Sequence, residues 1–158
     1  MDESRKEESL GLDDIMAMVF LSLLVIVTTL GVFMRYVVSQ PLLWGEEIQI
    51  LLFVWAIFFG ASSVMKGEGH IGIDILIQFL PPKMLKGVHI FDNLLVMLIL
   101  AVLTFLGVEL SISGWAQFTP ILKLKWTFME MAIPVGGVCM IYQLAKLTWR
   151  EFKRKEVT

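Results

Sequence analysis

Long runs of uncharged, apolar residues constrain the fold of this chain more than any other feature of its sequence. The clearest run extends from Ile48 to Met65 and contains no charged residue. A helix from Glu46 to Lys66, rising about 1.5 Å per residue, would cover roughly 30 Å, which is the thickness of the hydrocarbon core of a bilayer. We therefore expect this segment to cross a membrane, with its ionisable residues at the two ends.

The composition supports the same interpretation for the whole chain. Hydrophobic residues make up 57% of the 158 residues and charged residues only 18%, which is more apolar surface than a soluble domain of this size can bury. The apolar runs lack the short alternation of barrel strands, so helices are the elements that satisfy every backbone group in the membrane. We predict an all-α integral membrane protein with four transmembrane helices.

The predicted segments follow the apolar runs in chain order. We expect a polar tail over 1–14, transmembrane helices over 15–38, 44–66, 82–112 and 126–148, and a basic tail over 149–158. Between the second and third helices, the segment 70–80 is too short to span a bilayer and is stopped by Pro81 and Pro82. Because His70 and Asp74 share one helical face of it, we expect a short amphipathic helix in the membrane interface.

The distribution of lysine and arginine predicts the orientation in the membrane. With four spans, the side of both termini receives ten of the 13 Lys and Arg residues, and the other side receives Arg35, Lys123 and Lys125. Positively charged segments resist translocation, so we expect both termini in the cytoplasm. Trp44 and Trp126 then fall at the outer boundary, where amphipathic rings prefer to lie.

Charged residues at the ends of the helices are candidates for structural or partner contacts. Arg35 approaches the outer boundary from the first helix and Glu46 and Glu47 from the second. An ion pair across this corner is one interpretation, and three separately solvated charges are the other, because exposed pairs contribute only about 0–1 kcal/mol. His70 and Asp74 could bind an ion or relay a proton, but two ligands do not make a metal site, and helix termination or contact with a partner is preferred.

Small residues four positions apart mark two helices as candidates for close packing. Ala56 and Gly60 form such a pair on the second helix, and Ala132 and Gly136 on the fourth. Pro134 is expected to tilt or kink the fourth helix. Together the candidate structural and partner-interface residues are Arg35, Trp44, Glu46, Glu47, Trp55, Ala56, Gly60, His70, Asp74, Trp126, Ala132, Pro134 and Gly136.

Several kinds of chemistry find no support in the sequence. The stretch 67–72 matches G-x-G-x-x-G formally, but it follows a membrane helix instead of a strand, so nucleotide binding is rejected. No basic patch with interleaved aromatic residues indicates nucleic acid, and the lone Cys139 excludes a thiol ligand cluster. The centres of the spans carry no ionisable residue, whereas the substrate path of a carrier normally does. We predict a transporter component, not an enzyme, without catalytic, substrate-binding or metal-ligating residues and without a cofactor.

The motifs resemble those of a known family across nearly the whole chain. In order they are Arg35, Trp44-Gly-Glu46-Glu47, Trp55 with Phe59-Gly60-Ala61, His70-Ile-Gly-Ile-Asp74, Leu80-Pro81, Trp126, and Ala132-Ile-Pro134-Val-Gly136. This series resembles the small membrane subunit of TRAP transporters, the DctQ-like family. The resemblance implies a bacterial or archaeal inner-membrane protein whose partners are a large membrane subunit, a periplasmic substrate-binding protein and membrane lipid.

The resemblance also implies a division of labour. In the family, a sodium gradient drives uptake of carboxylate-bearing solutes such as C4-dicarboxylates or sialic acids. The large subunit holds the substrate and sodium sites and moves in elevator fashion, and the small subunit extends its fixed scaffold.

Two alternatives come from other functional classes. A self-sufficient four-helix exporter would need a membrane-embedded carboxylate in its first helix, and 15–34 has none. An assembly or redox subunit that binds haem or quinone would need histidines facing each other, but His70 and His89 are both expected at the interface.

Overall fold

The described part of the chain consists mostly of α-helices. The computed structural model describes residues 11–66 and 82–155, and side chains over 11–66 and 91–149. Its elements are α1 (Leu12–Tyr36), α2 (Gly45–Val64), α3 (Pro82–Ser113), a 3-10 helix (Gly114–Ala116), α4 (Thr127–Glu130) and α5 (Ala132–Lys155). The amphipathic helix predicted over 70–80 lies outside the described residues.

Four helical segments are long and apolar enough to cross a membrane. They are Leu12–Tyr36, Gly45–Val64, Phe91–Ala116 and Thr127–Trp149. The prediction of an all-α fold with four transmembrane helices is therefore confirmed.

The helices lie side by side in the order α1, α2, α5, α3. Among the described residues, the extensive contacts join α1 to α2, α2 to α5, and α5 to α3. The apolar core lies where the last three of these helices meet, around Leu100, Met140 and Leu144, with Phe58 and Met65 packed against it. Within the part of the chain that the structure describes, this arrangement leaves the outer faces of α1 and α3 uncovered.

The uncovered surface is strongly apolar. Large hydrophobic side chains such as Phe105 and Leu94 are 71% and 69% exposed, and none of the most apolar 18-residue window of α1 is buried. Exposing apolar surface to water costs about 25 cal/mol per Å², a cost that a lipid environment removes. The exposed surface of the fold is therefore suited to contact with lipid.

Helix α1 begins earlier than the sequence predicts. Its N-cap is Gly11, whose backbone N–H donates a 2.7 Å hydrogen bond to Oδ2 of Asp14. Carboxylates are favoured in the first turn of a helix because they face the positive end of its dipole. Asp13 and Asp14, which the sequence placed in the polar tail over 1–14, thus belong to the first turn of α1, and Asp13 is buried.

The fourth span consists of two helices. The sequence predicts one helix over 126–148 with a kink at Pro134, whereas α4 ends at Glu130 and α5 begins at Ala132. Proline has no N–H, and its ring excludes the carbonyl four residues earlier, which here belongs to Glu130. The break thus falls before the proline, at Met131, and α5 then continues into the predicted tail as far as Lys155.

Candidate functional site

At one end of the molecule a cluster of charged and polar side chains joins the helix ends, and we call it the Lys66 cluster. Lys66 follows the C-terminus of α2, and its Nζ lies 2.5 Å from Oδ1 of Asp13 and 2.6 Å from Oδ2 of Asp14 in the first turn of α1. These ion pairs join the start of α1 to the end of α2. The members of the cluster are Asp13, Asp14, Ser62, Ser63, Lys66 and Gln143.

Neutral polar groups complete the hydrogen bonding of the two carboxylates. The hydroxyl of Ser62 donates to Oδ2 of Asp13 at 3.2 Å, and the hydroxyl of Ser63 donates to Asp14. From α5, Nε2 of Gln143 donates to Oδ2 of Asp13 at 3.1 Å. The cluster therefore connects three helices at one end of the fold.

The charges of the cluster stabilise one another in spite of their burial. Burial acts to lower the pKa of Lys66, but its hydrogen bonds to Asp13 and Asp14 and their negative charges outweigh that effect and raise the pKa above its ordinary value. A buried charge that loses its partner is costly, so each member depends on the others. The cluster acts as a structural lock, not as an open binding site.

The opposite end of the molecule is organised by Glu47, in the first turn of α2. Its carboxylate is buried and accepts two 2.8 Å hydrogen bonds, from the backbone N–H of Ile121 to Oε1 and from that of Leu122 to Oε2. Charge-assisted bonds of this kind are among the stronger hydrogen bonds in proteins. They fix the tip of the connection between α3 and α4 against α2.

That connection is a short hairpin over residues 117–126, which we call the Glu47 hairpin. Phe118 and Lys125 form an antiparallel bridge, and the backbone N–H of Thr119 donates to the carbonyl of Leu124 at 2.8 Å. The Thr119 hydroxyl is buried and accepts a 3.0 Å hydrogen bond from the N–H of Leu124. Lys123 has a φ of 55°, the left-handed conformation that lets the chain reverse.

Trp55 joins three elements near the middle of α2. Its indole Nε1–H donates a 3.0 Å hydrogen bond to the carbonyl of Phe128, at the break between α4 and α5. Its ring stacks on Phe20 of α1 and on Phe59 of α2, with centroids 5.7 Å and 5.6 Å away. Trp55 is half-buried, and its N–H has an acceptor in α4, which ties α2 to the start of the fourth span.

Of the two interpretations of Arg35, Glu46 and Glu47, an ion pair or three separate charges, the described residues show no ion pair. No described acidic residue lies within ion-pair distance of Arg35, which is exposed in the last turn of α1. Glu47 is already bound to the hairpin backbone, and Glu46 is exposed. Trp44 and Trp126 are the N-cap residues of α2 and α4 and lie at the Glu47 end of the fold.

The two pairs of small residues have different surroundings. Ala132 is completely buried, and a Cβ added at Gly136 would lie only 2.5 Å from Cβ of Phe58, so this pair packs inside the chain. Of the two roles open to this pair, helix packing and contact with a partner, the structure shows helix packing. A Cβ added at Gly60 would meet nothing within 4 Å, so the Ala56–Gly60 face of α2 is open at that point. His70 and Asp74 lie outside the described residues.

Neither polar network was predicted from the sequence. Lys66 was expected only as a helix end, and Glu47 was not connected to the backbone at 121–122. An Asp-Asp pair at the start of one apolar run and a lysine at the end of the next would have signalled the first network. Among the described residues, no group of three His, Cys, Asp or Glu residues is arranged to hold a metal ion.

Comparisons with known proteins point to one group. Residues 24–154 match the family described as "Tripartite ATP-independent periplasmic transporters, DctQ component". The chain is 33% identical over 126 residues to the sialic acid TRAP transporter permease protein SiaT of Haemophilus influenzae, a match that covers 75% of the chain and 19% of that relative.

Two relatives from Vibrio cholerae are named as small permease proteins. The C4-dicarboxylate TRAP transporter small permease protein DctQ is 26% identical over 125 residues, which is 79% of the chain and 51% of the relative. The sialic acid TRAP transporter small permease protein SiaQ is 25% identical over 138 residues, which is 87% of the chain and 80% of the relative. The matched region thus spans a fifth of SiaT, half of DctQ and most of SiaQ.

Proposed function

Since the chain belongs to the DctQ component family of tripartite ATP-independent periplasmic (TRAP) transporters, we propose that it is the small membrane subunit of such a transporter and acts as a fixed scaffold. It is a multi-pass inner-membrane protein and a transporter component, not an enzyme. Its proposed partners are a large membrane subunit that carries the solute and a periplasmic protein that delivers it.

The observation that best supports a scaffold role is the absence of charge from the middle of the spans. Within the described helices, the stretches 15–34, 48–64, 93–108 and 131–145 contain no Asp, Glu, Lys or Arg. A charged solute held halfway through a bilayer needs polar or ionisable partners at that depth. The charged networks of this chain instead lie at the helix ends, where they fix the helices relative to one another.

The side-by-side arrangement of the helices suits the same role. Because α1, α2, α5 and α3 form a row, each outer face offers apolar surface to lipid or to a neighbouring subunit. Of the two small-residue pairs, Ala56–Gly60 is the one left for such a neighbour, beside the exposed side chains of Phe53 and Ile57. We assign this face of α2 to contact with the large subunit.

The names of the relatives support a proposal for the solute class, and the family resemblance supports one for the driving force. Their names specify sialic acid or C4-dicarboxylates, which share carboxylate groups, so we propose a carboxylate-bearing solute taken up at the expense of a sodium gradient. The excess of Lys and Arg on the side of the termini favours a cytoplasmic location for both termini. The Glu47 end then faces the periplasm.

The proposal is tested by deleting the gene for this chain and keeping the genes for its two partners. Uptake of labelled sialic acid and of a labelled C4-dicarboxylate is measured with and without external sodium, and the amount of large subunit in the membrane is measured in parallel. We expect sodium-dependent uptake of one of these solutes to be lost and to return on re-expression of the chain. Undiminished sodium-driven uptake in the deletion strain would contradict the proposal.

A further inference from the structure

The Glu47 hairpin pairs several backbone N–H groups within the protein and exposes large apolar side chains. The backbone N–H groups of Ile121 and Leu122 are bound by the Glu47 carboxylate, and that of Leu124 by the hydroxyl of Thr119. Thr119 itself is only 1% exposed. Backbone groups removed from water are costly unless they are paired, so this internal pairing allows the hairpin tip to lie against lipid.

Four large apolar side chains in or beside the hairpin face outward. Phe118 is 55% exposed, Ile121 48% and Leu122 37%, and Trp115, just before the hairpin, is 61% exposed. Contiguous apolar groups on a surface loop indicate contact with a partner or with a membrane. We call these four side chains the hairpin ridge, and the described residues leave them uncovered.

The hydrogen bonds to Glu47 set the depth of this ridge relative to the transmembrane helices. Glu47 lies in the first turn of α2, three residues after Trp44, so the hairpin tip is held level with the beginning of a transmembrane helix. Trp44 and Trp126 are N-cap residues at the same end, and tryptophan is enriched where a membrane meets water. A hairpin that projected into the periplasm would not have its tip bonded at this depth.

The two lysines of the hairpin complement the phosphate groups of a lipid layer. Nζ of Lys125 lies 3.2 Å from the centroid of the Trp115 ring, which combines a cation and an interfacial aromatic ring in one unit. Lys123 is exposed at the turn. Flexible lysine side chains reach the headgroup layer while their apolar neighbours lie deeper.

We propose that the Glu47 hairpin is a membrane anchor that lies flat in the headgroup and upper acyl region of its leaflet, with phospholipid as its partner. Phe118, Ile121 and Leu122 enter the acyl boundary, and Lys123 and Lys125 lie at the level of the phosphates. This anchor fixes the α3–α4 connection with respect to the bilayer. It does not depend on which solute is carried or on which side of the membrane the hairpin lies.

The test measures the depth of the hairpin with a fluorescent label. In a Cys139→Ala background, single cysteines are placed by Ile121→Cys and, as the matched control, by Gln40→Cys in the exposed α1–α2 connection at the same end. The full chain carries an environment-sensitive nitrobenzoxadiazole label in phosphatidylcholine and phosphatidylglycerol vesicles. Quenching by a lipid with a spin label near its headgroup is compared with quenching by aqueous iodide.

We expect the label at position 121 to be quenched at least about twofold more by the spin-labelled lipid than by iodide, and the label at position 40 to show the reverse order. Phe118→Cys on the facing strand gives a second probe with the same expected result. Preferential quenching by iodide at both hairpin positions would overturn the proposal. Protection from both quenchers, in the chain alone or in a purified complex with its partners, would overturn it too, because the ridge would then be covered by protein.

Discussion

Lys66 and Asp14 are 52 positions apart in the sequence, yet Nζ of Lys66 lies 2.6 Å from Oδ2 of Asp14. The contact joins the end of α2 to the start of α1, while Glu47 at the other end of α2 holds the Glu47 hairpin. Helix α2 is therefore fixed at both ends by charged groups. The other described helices and the Glu47 hairpin are therefore positioned relative to α2.

Replacing Lys66 by Met is expected to destabilise the chain. The change leaves Asp13 and Asp14 without a counter-charge, and breaking a buried ion pair costs about 3–5 kcal/mol, which we reduce to about 2 kcal/mol for a cluster at helix ends close to water. Thermal unfolding of the purified protein in detergent measures the loss. Lys146→Met on exposed α5 surface is the control and should change the midpoint little. Equal effects of the two substitutions would show that the cluster adds no stability.

Replacing Glu47 by Gln is expected to loosen the hairpin tip. An amide has one acceptor oxygen where the carboxylate has two, so the N–H of either Ile121 or Leu122 loses its acceptor. Hydrogen exchange of these two amides, followed by mass spectrometry, should become at least about tenfold faster. The neighbouring Glu46→Gln, at an exposed position, should leave the exchange unchanged, and the same acceleration in both variants would refute the tether.

Replacing Trp55 by Phe is expected to weaken the junction between α2 and the α4–α5 break. The variant retains aromatic stacking on Phe20 but loses the hydrogen bond to the carbonyl of Phe128. The net loss for one such bond is about 1 kcal/mol, measured as a lower unfolding midpoint. Trp149→Phe at a side chain that is 76% exposed is the matched control. An unchanged midpoint in Trp55→Phe would mean that the bond contributes nothing to stability.

Alanine substitutions at two glycines should have opposite consequences. In Gly136→Ala the new Cβ lies 2.5 Å from Cβ of Phe58, so α2 and α5 must separate, at a cost of about 1–3 kcal/mol. In Gly60→Ala the Cβ enters open space, so the isolated chain should be unaffected or stabilised by up to about 1 kcal/mol. Unfolding midpoints compare the two variants directly.

Whether Gly60 contacts the large subunit is tested with a larger substituent and with co-purification instead of unfolding. If the Ala56–Gly60 face packs against the large subunit, Gly60→Leu should reduce the amount of large subunit that co-purifies with the chain while leaving the isolated chain folded. Co-purification at the wild-type level would remove this face from the proposed interface.

The sequence predicted the helices well and their connections poorly, for a physical reason. Twenty uncharged residues need a membrane whatever their neighbours are, so the four spans follow from local composition. The bonds of Lys66 to Asp14 and of Glu47 to Leu122 join residues that local patterns do not relate, and they depend on how the helices pack. The same limit explains why the sequence left it open whether Arg35 pairs with a carboxylate, and why it could not specify that Gly136 packs against Phe58.

The central claim is that this chain supports a transporter but does not itself carry solute. The most direct measurement reconstitutes the purified chain in vesicles, alone and together with the large subunit and the periplasmic protein, and follows accumulation of labelled sialic acid or C4-dicarboxylate under an inward sodium gradient. We predict no accumulation with the chain alone and sodium-dependent accumulation of one of these solutes with all three proteins. Accumulation by vesicles that contain only this chain would contradict the claim.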